Sequence, residues 1–125
     1  MMLWRRVHAW LAIAWVVAIV IQVVLAGLAI GNLGGSGDFS THAGFGFTIG
    51  IIQLAVLVVA FAARMPRREI GVAAGILVLY IVQTLLPGFR TGAAWLAALH
   101  PLNAMILFVV SIWYARRAWS AAMRA

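Results

Sequence analysis

The chain contains no cysteine, which excludes a disulfide framework, an iron–sulfur cluster, thiol catalysis and the covalent attachment of a c-type haem. Acid is almost as scarce, since Asp38 and Glu69 are its only carboxylate side chains. An apolar run separates them and puts them on opposite sides of a bilayer, so they cannot pair for general acid–base work or for a two-metal site. No nucleophile motif or phosphate-binding loop occurs. Charged residues make up 9% of the chain against 66% hydrophobic ones, whereas soluble domains carry roughly 25% charge. A water-soluble globular fold is thereby excluded, and the chain reads as an integral membrane protein. A proton or ion transporter needs ionisable groups near mid-membrane, and only the neutral Gln53 lies there.

What is present is hydrocarbon in long runs. About 20 apolar residues cross a bilayer, and the pattern predicts one transmembrane domain over 1–125 with spans at about 4–30, 41–64, 69–87 and 95–117. The first apolar core is longer than the roughly 7–15 residues of a signal peptide, so it counts as a span. The net charge is +7, but the arginines sit at the ends of the runs and not on one water-facing surface, which argues against nucleic acid. Arg5, Arg6, Arg64, Arg67, Arg68, Arg116, Arg117 and Arg124 fall on one side and Arg90 alone on the other. The positive-inside rule then makes both termini cytoplasmic. Short connections imply antiparallel neighbours, hence an all-α, up-down bundle of four helices, with a bacterial inner membrane as the expected location. The pairs Gly27/Gly31, Gly46/Gly50 and Gly71/Gly75 have the small-xxx-small spacing that permits close helix contact, within the chain or in a homodimer. Pro66 stops the second span, and Glu69 is expected to be a solvated helix start. Ser40 or Thr41 is expected to cap the second span.

Polar residues inside the runs are few, and in lipid they must pair or face a wet cavity. His42 opens the second span and His100 the fourth, so both imidazoles are expected at similar depth near the outer face. At about 100° per residue, His42, Gly46, Gly50 and Gln53 share one helix face, and His100, Asn103, Leu107 and Ser111 share another. In a square bundle these two helices are diagonal, about 11–14 Å apart. That distance suits two imidazoles reaching one iron with a flat macrocycle between them. The sharp expectation is therefore a b-type haem held axially by His42 and His100. Gln22 and Gln83 would orient ligands or propionates, Gly46 would leave room for the ring edge, and Arg90 would pair with a propionate. Asn103 is as much a helix partner as a cofactor contact. The competing expectation is an accessory or interaction subunit, not an enzyme, whose His, Gln and Asn side chains only bridge helices. A quinone or other small-molecule pocket is a third. His8 lies by Arg5 and Arg6 with no second histidine at its depth, so a second haem is not expected. Pro101 leaves two geometries open: a short interfacial helix over 93–99 followed by a span starting at His100 or Pro101, or one continuous kinked helix.

A glutamine and a glycine late in the first span (Gln22, Gly27), His42-Ala43-Gly44, Gln83, and Leu99-His100-Pro101-Leu102-Asn103-Ala104 together resemble the bacterial four-span family called domain of unknown function 6220. That resemblance implies architecture and no activity. The placement of His42 and His100 on the second and fourth spans also resembles one half of haem A synthase. It implies haem binding through these histidines, with an electron-transfer partner in the membrane. This chain holds only one such half, and its one outer acid is Asp38 in a loop, so the synthase chemistry does not carry over.

Overall fold

The computed structural model describes residues 1–124. In a bilayer core every backbone N–H and C=O must be bonded within the protein, so long apolar runs become helices. Six α-helices follow in order: α1 (Met2–Ala29), α2 (Ser40–Thr48), α3 (Gly50–Ala62), α4 (Arg67–Leu85), α5 (Ala94–Ala97) and α6 (Leu99–Met123). They make four segments long and apolar enough to span, Met2–Ala29, Ser40–Ala62, Arg67–Thr91 and Ala94–Met123. The last runs farther than its hydropathy suggests. Ala115, Ala118 and Ala122 continue the inward face set by Ser111 and Tyr114, and that burial against α1 carries the helix on.

α1 packs against α6 and α3, α3 against α4, and α4 against α6, which closes the square. The second and fourth spans are thus diagonal, as are the first and third. Chain ends and the turn at 63–66 share one end of the bundle, here the terminal end, and the two remaining connections form the loop end. Core residues are mainly alanines, with a few aliphatics and single aromatics among them: Ala9, Ala12, Trp15 and Ala18 of α1, Val56 of α3, Ala73 and Ile76 of α4, Leu107, Tyr114 and Ala118 of α6. Alanine at these positions lets helix axes approach and gain dispersion contact, which replaces the hydrophobic drive that lipid cannot supply. The large hydrophobes point outward, among them Val17, Val24, Leu28, Ile51, Val58, Phe61 and Val109. A surface of that kind suits acyl chains.

Three local features position the site. The second span is broken at Ile49, so α2 is a separate nine-residue piece ahead of α3. The third span leaves α-geometry at Leu86 and ends in a 3₁₀ turn, Leu86–Thr91, that contains Pro87 and Arg90. Of the two geometries Pro101 allows, the chain adopts the interrupted one. α5 stops at Ala98, and α6 begins at Leu99 with Pro101 in its first turn, where a missing N–H costs no helix bond. The cap of α2 is a correction to expectation. Neither Ser40 nor Thr41 caps it; the Asp38 carboxylate accepts the Ser40 N–H at 2.8 Å and the Ser40 hydroxyl at 2.8 Å. Those two bonds stabilise the ionised form and hold the exposed Asp38 carboxyl below its usual value.

Candidate functional site

His42 and His100 meet at the loop end across the diagonal, their ring centroids 6.3 Å apart and their planes at 73°. Each is held by a glutamine from the helix preceding it in the chain. His42 Nδ1 lies 3.1 Å from the Gln22 carbonyl oxygen, and His100 Nδ1 lies 2.9 Å from that of Gln83. A carbonyl can only accept, so Nδ1 carries the proton in both rings and Nε2 keeps a lone pair. The side-chain amides of the same glutamines face those lone pairs, with N–N separations of 3.3 Å for Gln22 and His42 and 3.1 Å for Gln83 and His100. Gln22 also donates to the His42 carbonyl at 2.8 Å. The first two spans and the last two are thus stitched into matching hairpins.

The metal-binding capacity of this pair follows from its spacing. A metal–imidazole bond is about 2.0 Å and the nitrogen lies about 1.1 Å from the ring centre, so two axial imidazoles on one metal put their centroids about 6.2 Å apart. The observed centroid separation is 6.3 Å, with each Nε2 facing a glutamine amide. Among the described residues, no three His, Asp or Glu side chains cluster to hold a bare ion. Two imidazoles alone would hold only a metal that brings its own equatorial ligands, as the four nitrogens of haem would. A nitrogen made available by fixing the opposite N–H on a carbonyl is also the usual outer-shell arrangement of ligating histidine.

The residues around the pair have distinct places. Asn103 is buried and donates to Leu79 O at 3.0 Å and to Gln83 Oε1 at 2.7 Å, fixing that glutamine. Gln22 Oε1, its counterpart, is buried with no partner. Gly46 sits under Gln22, where a β-carbon would stand 2.6 Å from the amide nitrogen. The space at Gly46 thus admits the glutamine that orients His42. Arg90 is exposed in the loop-end turn and has no ion-pair partner among the described residues. Tyr80 escaped sequence reasoning. Its hydroxyl reaches Gly46 O and Phe47 O, both at 3.0 Å, serving carbonyls freed by the break at Ile49, and its ring packs edge-on to Trp15.

Three separate polar pairs lie between mid-membrane and the terminal end. Gln53 donates to Ala73 O at 2.9 Å, and Trp15 donates to Ser111 Oγ at 2.9 Å. His8 is wholly buried, with its Nε2 2.9 Å from the Tyr114 hydroxyl, and has no imidazole partner. Tyr114 could have been found by extending the stripe from His100 through Ser111 one more turn. Glu69 corrects the expectation of a solvated helix start. Its carboxylate is buried and takes both Nε and a terminal N–H of Arg117, whose guanidinium also lies over Trp113 at 4.9 Å. Of the three glycine pairs only Gly46/Gly50 meets a neighbouring span; Gly27, Gly31, Gly71 and Gly75 have nothing within 4 Å.

The model of a family of unknown function, DUF6220, matches residues 22–92, from the first glutamine through the loop-end turn. No curated protein and no solved structure matches the chain.

Proposed function

Because the chain belongs to the family of unknown function DUF6220, whose description carries no activity, we propose a function from the geometry of its loop end. The protein holds one b-type haem between His42 and His100 and serves electron transfer or redox sensing in the membrane. The observation that carries this reading is the pair of Nδ1-protonated imidazoles from diagonal spans with centroids 6.3 Å apart. Bound there, haem supplies a reversible one-electron couple. The chain supplies the rest. The carbonyls of Gln22 and Gln83 fix ring orientation and raise the basicity of Nε2. To hold haem, His42 and His100 would give up the amide contacts of Gln22 and Gln83 at Nε2, and Asn103 and Arg90 offer donors for Gln83 and for a propionate. With two protein ligands the group would serve as an electron carrier and not as an oxygen-activating centre. The arginine-rich terminal end faces the cytoplasm of a bacterial cell and the site lies near the outer face, where it meets a membrane redox partner.

One observation favours a second reading. Both Nε2 atoms already face a glutamine amide, so the four side chains form a helix lock without any cofactor, with Gln22 Oε1 as the one atom of the lock left unpaired. A visible spectrum of protein purified from cells supplied with excess haem separates the two. The haem reading expects a Soret band that shifts on reduction to a low-spin form, abolished by His42→Ala or His100→Ala and kept in His8→Ala. Colourless wild-type protein would leave only the helix lock.

A further inference from the structure

We propose that the cleft between the start of α4 and the last turns of α6 is a binding site for an anionic phospholipid, with the phosphate on Arg116 and Arg124 and an acyl chain along Val109 and Ile112. The cleft measures about 780 Å³ and is walled by Met65, Pro66 and Trp113 as well as these four residues. Its two ends differ in chemistry. Val109 and Ile112 lie deeper in the span and are apolar, while Arg116, Ser120 and Arg124 follow at helical spacing toward the terminal end. A lipid has the same division, and Trp113 sits where the two halves meet, a position aromatic side chains favour at headgroup level.

Charge selects among lipids. The cleft is lined by Arg116, Arg117 and Arg124 and by one acid, Glu69. Glu69 is buried and committed to Arg117, so among the described residues Arg116 and Arg124 have no acidic side chain paired with them. A zwitterionic headgroup brings its own ammonium and cannot neutralise them. A phosphodiester with a neutral alcohol offsets one of the two charges, and a headgroup with two phosphates offsets both. Basic pockets between spans are a recurrent way of holding such headgroups.

Native mass spectrometry of the full chain released from micelles containing equal phosphatidylglycerol and phosphatidylcholine tests this. Retained lipid is expected to be enriched in phosphatidylglycerol. The pair Arg116→Gln/Arg124→Gln should lower that enrichment about 25-fold, taking roughly fivefold for each arginine near a charged surface. Arg5→Gln/Arg6→Gln removes equal charge from the same end outside the cleft and should leave most of it. Far-UV circular dichroism checks that each pair still folds. Equal retention of both lipids by the wild type overturns the proposal, and so does an equal loss in both pairs, which would mean a diffuse field. Displacement of the lipid by inorganic phosphate at physiological salt also overturns it, since a free anion would then be the ligand.

Discussion

Gly50→Ala tests how the loop end is held. A β-carbon on Gly50 would overlap the Tyr80 hydroxyl and lie 2.5 Å from ring atoms Cε1 and Cζ. A planar ring cannot yield as a flexible chain end does, so Tyr80 has to leave. Overpacking of this kind costs about 1–3 kcal/mol. Losing the hydroxyl proton shared between Gly46 O and Phe47 O adds about 1 kcal/mol, and the better helix propensity of alanine returns about 1 kcal/mol. The net expectation is a loss of about 2 kcal/mol, read as a shift of the dodecyl-sulfate unfolding midpoint in mixed micelles by circular dichroism. Tyr80→Phe should not relieve the cost, because Cε1 and Cζ remain. Tyr80→Leu should relieve most of it, and a double-mutant cycle isolates the coupling. A Gly50→Ala protein within about 0.5 kcal/mol of wild type, or a cost unchanged in the Tyr80→Leu background, would refute the packing argument.

Two further outcomes follow from the ion pair and the cap. Arg117→Gln strands a buried carboxylate, whereas Glu69→Gln leaves a guanidinium whose side chain is 42% exposed and can turn to water. The first should therefore lower the unfolding midpoint clearly more than the second in the same assay, and equal losses would refute the asymmetry. Asp38 titrates lower folded than unfolded because Ser40 donates to its carboxylate. Its contribution is therefore present above the ordinary carboxylate value of about 4 and lost as pH falls through the depressed folded value. The wild type should lose stability on acidification through that window, and Asp38→Asn should show a smaller loss when both are unfolded at pH 7 and pH 3.

The four spans were legible because apolar runs of spanning length have no other solution in lipid. The placement of His42 and His100 was legible too, since depth follows from position along a span and facing from the stripe each residue shares with Gly46 and Gln53 or with Asn103 and Ser111. The histidines' partners were harder to see. Gln22 and Gln83 are expected from the sequence to orient ligands or propionates, but which histidine each one meets depends on the lengths of two connections, and each bonds to the histidine of its own hairpin. The break at Ile49 has no proline to announce it. Glu69 looked solvated because its cation, Arg117, is 48 residues away on another helix, and no local pattern encodes a contact at that range.

The two hairpins are alike in plan and unlike in bonding. On the His100 side, Gln83 is bonded at its carbonyl, amide nitrogen and amide oxygen, the last by Asn103, which is itself anchored on Leu79 O. On the His42 side, the position matching Asn103 is Phe45 and the Gln22 amide oxygen has no partner. His42 also rides on a nine-residue helix detached at Ile49, whose freed carbonyls are caught by Tyr80 from the third span. Gln83 is therefore the glutamine held at more points, while Gln22 alone reaches its partner's backbone, through the His42 carbonyl. Whether the pair receives iron or locks helices, α2 is tied to α1 through Gln22 and to α4 through Tyr80. A methyl group at Gly50 acts on the second of these ties.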